Sequence, residues 1–519
     1  MREHLSKFVI VALLALVVGI PFALRPGTAE PGDDVDPTAD PQRLIVISPH
    51  NEQIRFEFAR AFNAWRAEQG LPPVRFDWRS GGGTSDLRRM VLSQFEAAAI
   101  EGREKQGIGA DLFFGGGDFE HNMLANGIRL TRDGDEVSLP VTVPIDLPAG
   151  MLEDVYPDPH IGSERLYHPE RYWVGPVVSS FGIVYNRDLL TMLDLDEPTT
   201  WADMADPRYS GWIALADPGH SGSIAATYNV ILRREGWTEG WGLLRRVFAN
   251  ARYFTSSAGK VPTDVSAGEA AAGMCIDFYG RFQVGAINQF SHGDRLGYVD
   301  PPYQTATTAD PVSILRGAPH HELAQQFVTW LLTREAQRLW QRELGTPDGP
   351  TRFELRRQPA RRDIYTAEET AYWTDPEVNP FATARRMPDA VPDYYMMVAP
   401  IAHAIAIDIH DDLVAAWRAI QRTPDDHPNK PAMLELFDRM PEELTPQWPD
   451  AELARIWPEA IDDEAHPRHA EAVAVLEAFD EHLGDQYLGS ANADRLIDHR
   501  LGWTIQFREN YREIVRLAP

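Results

Sequence analysis

A single cysteine, Cys275, stands in 519 residues. No disulfide can close within the chain, and no cysteine follows the N-terminal apolar run to carry a lipid. Cys275 itself reads as a small buried hydrophobe. Basic residues are scarce: 49 Lys and Arg against 77 Asp and Glu leave a net charge of -28. A field of that sign opposes nucleic acid and anionic lipid, so nucleic-acid binding is set aside. Catalytic signatures are missing too. Gly81-Gly82-Gly83 lacks the spaced glycines of a dinucleotide site, and no Gly-Lys-Ser or Gly-Lys-Thr phosphate loop occurs. His320-His321-Glu322 lacks the zinc-protease spacing, and Gly219-His220-Ser221-Gly222-Ser223 has a serine where a nucleophile elbow needs its final glycine. Asp408, His410, Asp411 and Asp412 would spread over several helix faces, and His466 with His469 read as solvated surface. No tandem repeat of fixed period is found.

What is there suffices for a large folded body. Apolar residues make up 44% of the chain, with 14 tryptophans, which predicts two or more globular units. The chain opens Met1-Arg2-Glu3-His4-Leu5-Ser6-Lys7, and Phe8 to Leu24 is apolar apart from Gly19 and Pro21. A basic start ahead of an apolar run predicts an export signal, with Gly27-Thr28-Ala29 offering small residues for cleavage after Ala29. Retention of residues 8–24 as a membrane anchor is the competing expectation. Residues 30–41 are rich in Pro, Gly, Asp and Thr and predict a flexible tether.

Three glycine- and serine-rich turns carry most of the functional information. Residues 43–48 form a short apolar run that predicts a buried strand, and Pro49-His50-Asn51 turns the chain. Ile54, Phe58, Phe62 and Trp65 then follow at helical spacing. Val74 to Trp78 alternates as a second strand before Ser80-Gly81-Gly82-Gly83-Thr84, and Asp111 to Phe114 is a third before Gly115-Gly116-Gly117-Asp118. Trp212 to Ala216 leads into Asp217-Pro218-Gly219-His220-Ser221-Gly222-Ser223, and Met274 to Tyr279 reads as another strand, ended by Gly280-Arg281. Strands alternating with helices predict an α/β fold with parallel strands, whose ligands sit at the strands' carboxyl ends. Glycines admit close backbone approach, and hydroxyls beside helix N-termini supply donors reinforced by the helix dipole. Asp277 is a carboxylate in an apolar strand and needs a partner. Tyr172 to Asn186 is long and extended, which suits a crossing into a second lobe, and residues 296–315 suit the return. Beyond about residue 360 the pattern turns helical and acidic.

In their order and spacing these motifs resemble the substrate-binding proteins of ABC transporters, extracellular solute-binding family 1. The likeness is greatest to the iron(III) and phosphorylated-sugar branch. It rests on Ile45-Val46-Ile47-Ser48-Pro49-His50-Asn51, Ser80 to Thr84, and Ser180-Phe181-Gly182-Ile183-Val184-Tyr185-Asn186. Asp217-Pro218 with Ser221-Gly222-Ser223, Gly268-Glu269-Ala270-Ala271-Ala272-Gly273 and the helix-like Ala324 to Leu332 complete it. The resemblance covers residues 42–360. It implies a two-lobed periplasmic-binding-protein clamshell that closes on a ligand, with delivery to a membrane permease. Lobe 1 would take residues 42–182 and 298–360, lobe 2 residues 183–297, and residues 361–519 would form a helical acidic extension. Ligand contacts would fall on Ser48, His50, Asn51, Ser80, Gly81, Gly82, Gly83, Thr84, Gly116, Gly117 and Asp118 of lobe 1. Those of lobe 2 would fall on Ser221, Gly222, Ser223, Asp277 and Tyr279. Ferric members hold iron with two neighbouring tyrosines, where this chain has Phe278-Tyr279. A small anionic or phosphorylated solute is therefore the expected ligand, with no cofactor. Fe(III) on Tyr279 and Asp277 is the rival. The expected protein is a periplasmic monomer serving an ABC permease. An anchored sensor or scaffold is the second reading. An enzyme is the third, with His50, His220, Asp118 or Asp277 as its base.

Overall fold

The computed structural model describes residues 42–132, 135–291, 293–487 and 493–519. The expected export segment 1–29 and tether 30–41 lie outside them. Among the described residues no helix is long and apolar enough to cross a membrane.

Two five-stranded sheets organise the chain. The first runs, in order, Val74–Arg79, Gln42–Ile47, Leu112–Phe114, Val312–Leu315 and Thr142–Val143. Its first three strands are parallel and the last two join antiparallel, with Ile47 opposite Phe113 and Phe114 opposite Val312. The strand Gln42–Ile47 lacks polar alternation because it is buried on both faces. Leu44 and Val46 pack with Phe58, Phe62 and Trp330, whereas Ile45 and Ile47 pack with Leu87, Val91 and Phe95. The helix His321–Leu331 supplies Phe327 and Trp330 to the first of these faces.

The second sheet runs Ala251–Thr255, Ile213–Ala216, Ala272–Ile276, Phe181–Asn186 and Leu296–Val299. The first three strands are parallel, and Phe181–Asn186 is antiparallel to both its neighbours. Pairing begins at Phe181 and ends at Val299, so the expected lobe boundaries at 182/183 and 297/298 fall inside paired strands. One strand expectation is corrected. Met274 to Tyr279 is not a single strand: it stops at Ile276, and Asp277 opens the helix Asp277–Ser291. The Asp277 carboxylate accepts the Phe278 N–H at 2.8 Å and the Ser180 N–H at 3.1 Å. An acid holding free N–H groups at this point starts a helix rather than prolonging a strand.

Between the two sheets lies a third, made of the crossings themselves. Val177–Ser179 on the way out pairs antiparallel with Thr308–Ala309 on the way back and with Gln358–Pro359. The chain therefore passes this junction a third time. It goes on to the helices Tyr395–Ile405, His410–Arg422, Lys430–Asp438, Ala451–Asp462, His469–Tyr487 and Ala493–Leu517. These pack on the second lobe. Tyr228, Trp237, Trp241 and Phe248 share one continuous core with Ile401, Phe437 and Tyr511. Each such buried side chain contributes about 1.5–3 kcal/mol.

Candidate functional site

Carboxyl ends of strands from both sheets face each other, and each glycine turn has a distinct local cause. After Leu112–Phe114 the backbone takes positive φ at Gly115 and Gly116 before the helix Asp118–Asn126 begins. A Cβ at Gly116 would lie 2.3 Å from Thr84 Cγ2, and one at Gly115 would lie 2.8 Å from His50 Nε2. These glycines let the first-lobe turns nest. Gly83 meets the other lobe: a Cβ there would lie 2.0 Å from the His220 carbonyl oxygen. Beside it, Arg89 donates to the Gly219 carbonyl at 3.1 Å, and His220 Nδ1 lies 3.3 Å from the Asp86 carboxylate. The two lobes are thus in contact along their turns.

Between them is a cavity of about 160 Å³. Of the residues expected to bind, Thr84, Gly116, Gly117, Asp118, Gly222, Ser223 and Tyr279 line it. The others lie elsewhere. Ser80, Gly81 and Gly82 are on the surface. Asn51 and Ser221 cap helices, their side-chain oxygens accepting the N–H groups of Ile54 and Ile224. Ser48 is buried within its turn and accepts the His50 N–H at 3.1 Å. His50 and Asp277 are buried behind the wall, and His220 is half exposed at the lobe junction.

Burial and charge set the chemistry of the wall. Asp118 is pushed up to about 7 by burial first, then by the carboxylates of Glu164 and Asp393. Only backbone N–H groups, its own and that of Phe119, pull the other way. Glu164 is raised by burial and by Asp393, against the pull of Arg233, whose Nη1 lies 3.4 Å from Glu164 Oε1. In the wall itself, Asp310 takes Arg357 Nη2 at 2.5 Å and His50 Nε2 at 3.0 Å on one oxygen, Oδ2. Arg357 first and His50 second hold this carboxyl well below its ordinary range despite burial. Burial holds His50 below its usual pKa, so its ring is neutral near pH 7. Burial also raises Asp277 to about 6, with Asp300 adding to it. Burial pushes the Tyr279 phenol up to about 12. The Arg357 guanidinium lies over the Phe278 ring, 4.2 Å from the centroid. Among the described residues no three His, Cys, Asp or Glu side chains are placed to hold a metal ion.

Several wall residues escaped the sequence reading. Glu164, Arg233, Asn229 and Asp310 line the cavity, as do Asp393 and Tyr395 from the extension. The Tyr395 hydroxyl lies 3.3 Å from both Glu120 Oε1 in lobe 1 and the Gly222 carbonyl in lobe 2. Glu120 is fully buried, accepts the Ser85 hydroxyl at 2.9 Å and pairs with Arg88. Asp393 accepts the Asn229 amide at 2.8 Å. The one signal open to the sequence was Asp310-Pro311 at the end of the expected return crossing. Nothing local marks Asp393 or Tyr395.

Residues 149–365 match the family described as bacterial extracellular solute-binding protein. The chain is 29% identical over 166 residues to the phosphoglycerate transport regulatory protein PgtC of Salmonella typhimurium, covering 32% of this chain and 40% of that protein. It is 30% identical over 204 residues to an uncharacterized protein of Haemophilus influenzae, covering 37% and 55%. The chain therefore spans about half, or less, of the length of these curated relatives. Among solved structures, the periplasmic binding protein AfuA from Actinobacillus pleuropneumoniae, with fructose-6-phosphate bound, aligns at a TM-score of 0.49 and 17% identity over 73% of this chain and 98% of that one. Iron-bound HitA from Pseudomonas aeruginosa aligns at 0.46 and 18% over 66% and 92%.

Proposed function

With residues 149–365 matched to the bacterial extracellular solute-binding proteins, we propose that this chain is an exported, monomeric binding protein of an ABC importer. It captures a small polar solute between its lobes and presents it to a permease in the membrane. The observation that carries this reading is the shared wall of the cavity. Thr84 and Asp118 come from the first lobe, Ser223 and Tyr279 from the second, and Asp393 and Tyr395 from the extension. A ligand touching all three at once meets them only in the closed form, so its binding free energy shifts the population toward closure. No bond is made or broken in this cycle. The glycine turns by themselves suggest a phosphorylated or other anionic solute, with Fe(III) as its rival, whereas the acidic wall of Asp118, Glu164 and Asp393 opposes an anion.

The extension supports a second reading, a sensor or transport regulator, as the PgtC name suggests for that relative. Tyr395 joins both lobes through Glu120 and the Gly222 carbonyl. The extension's outer surface therefore follows the state of the cleft.

Thermal unfolding of the full chain against ferric citrate, phosphorylated sugars, organic acids and amines tests solute capture. A ligand at about a hundred times its dissociation constant stabilises by about 2.7 kcal/mol. The expected result is a shift with one chemical class, reduced by Ser223→Ala. Absence of any shift across the panel speaks against capture of these classes.

A further inference from the structure

This inference rests on the solute-capture reading and names its ligand class. We propose that the interlobe cavity takes a small organic cation, recognised through an ammonium group by Asp118, Glu164 and Asp393 against aromatic walls. Besides the paired Asp310, three carboxylates line the cavity, Asp118, Glu164 and Asp393, and the one basic side chain in its described wall, Arg233, already faces Glu164 at 3.4 Å. Arg357, the next guanidinium inward, is committed to Asp310 and to the Ser179 hydroxyl and is covered by Phe278. A phosphate would enter a wall with no cation to spare and would have to lie beside three acids. An ammonium would find unshared lone pairs there.

Independent features of the cavity agree. Asp310 also lines it, is only 5% exposed, and has one oxygen, Oδ1, with no partner among the described residues. Its charge is balanced by Arg357, and the unpartnered oxygen offers an acceptor at this end of the cleft. Phe119 and Tyr395 stack at 4.1 Å between centroids beside Asp118, and Phe181 and Tyr279 line the same space, whereas the Phe119 and Phe278 rings already carry Arg88 and Arg357. Aromatic faces with carboxylates between them attract ammonium groups by their quadrupoles as well as by charge. Glu164 and Asp393 raise Asp118, and Asp393 raises Glu164, yet among the described residues no three acidic or histidine side chains are placed to hold one metal ion. The charge they meet is therefore spread over a molecule. At about 10–15 Å³ for each water-sized site, the cavity of about 160 Å³ accommodates a ligand of modest size.

The pH dependence follows. Asp118 faces Glu164 from the hairpin of His160–Ile161 and Glu164–Arg165, Asp393 and the Tyr395 hydroxyl from the extension, and Arg233 across Glu164. Protonated, Asp118 spares the empty cavity a charge, and an arriving ammonium expels that proton. Amine affinity therefore rises with pH and a proton is released, whereas an anion would bind better as pH falls.

Calorimetric titration of the full chain decides between them, using butane-1,4-diamine, choline, fructose 6-phosphate and ferric citrate as probes between about pH 6 and about pH 8. The expected result is saturable binding of an amine, tighter at the higher pH and accompanied by proton release. Asp118→Asn and Glu164→Gln should each weaken it at least about tenfold, the loss of one charge-assisted hydrogen bond. Unchanged unfolding midpoints of the empty variants show that both remain folded. Amine binding indifferent to both substitutions overturns the proposal. Binding of fructose 6-phosphate or ferric citrate but of no amine also overturns the ligand class and leaves solute capture standing. Binding of no probe counts against the cation class and against solute capture together.

Discussion

At Gly83 a single hydrogen stands where any other side chain would touch the opposite lobe. Its φ of -79° is ordinary for any residue, so alanine there strains nothing within lobe 1. What it meets is the His220 carbonyl oxygen, 2.0 Å from the added Cβ. Gly83→Ala should leave the unfolding midpoint of the empty protein within about 0.5 kcal/mol of wild type and cost at least about tenfold in affinity by opposing closure. Equal affinity would mean that binding does not draw these turns together. Arg357 gives the opposite kind of prediction. It is fully buried against Asp310, and Arg357→Leu leaves a carboxylate in the cavity wall with only a neutral imidazole beside it. Breaking a buried pair in this way costs about 3–5 kcal/mol. The sign with pH is fixed, because the native pKa of Asp310 is depressed. Its stabilisation is present above the unfolded carboxylate value of about 3.9 and is lost as pH falls through the native one. Arg357→Leu should therefore flatten the acid limb of a stability-against-pH curve measured by urea unfolding.

Among the elements, the helix Trp237–Asn250 ties the second lobe to the extension and holds an anomaly. Arg245 is fully buried, with Met440 Sδ at 3.1 Å and the rings of Phe507 and Phe437 at 5.2 and 5.8 Å. Its Nε and Nη1 find no partner among the described residues, and Asp438 is taken by Arg246. Burial lowers its pKa, which marks an unfavourable charge. Arg245→Met keeps most of the volume and removes the unsatisfied donors, so it should raise stability by about 1–3 kcal/mol. A lower unfolding midpoint would show that the ring contacts outweigh desolvation. Elements of this kind were partly legible in the sequence. Apolar runs before turns marked the strands Gln42–Ile47 and Leu112–Phe114, because strands buried on two faces carry no polar alternation, and alternation marked Val74–Arg79, which is only partly buried. Met274 to Tyr279 misled for the same reason. An apolar run does not reveal where strand becomes helix, and Asp277 switches it through hydrogen bonds to Phe278 and Ser180.

For the whole molecule, residues of the glycine turns line the interlobe cavity, but their composition carries nothing of its charge. Turns announce themselves by local composition, so Thr84, Gly116, Asp118 and Ser223 could be picked out. Glu164, Asp310 and Asp393 reach the same cavity through three separate segments, and no local pattern marks a carboxylate that becomes buried through distant packing. The extension is the largest case. Its helical, acidic character was readable, whereas its contribution of Asp393 and Tyr395 to the wall depends on the third passage at Gln358–Pro359. That passage brings the extension to the cavity wall. Tyr395 lies 3.3 Å from Glu120 in one lobe and from the Gly222 carbonyl in the other. Removing its hydroxyl leaves the Phe119 stacking in place and cuts only the polar link. Tyr395→Phe should lower ligand affinity by roughly the worth of one hydrogen bond to a charged group, about 1.5–3 kcal/mol, because that bond spans the lobes only when they are closed. The same change should scarcely move the unfolding midpoint of the empty protein, since the extension is anchored by the apolar core it shares with Trp237, Phe248, Phe437 and Tyr511. Titration calorimetry with whichever probe binds, set beside thermal unfolding of the empty variant, separates the two quantities. Equal losses in both would make the extension a mere stabiliser of lobe 2. A loss confined to affinity makes it the third jaw of the cleft.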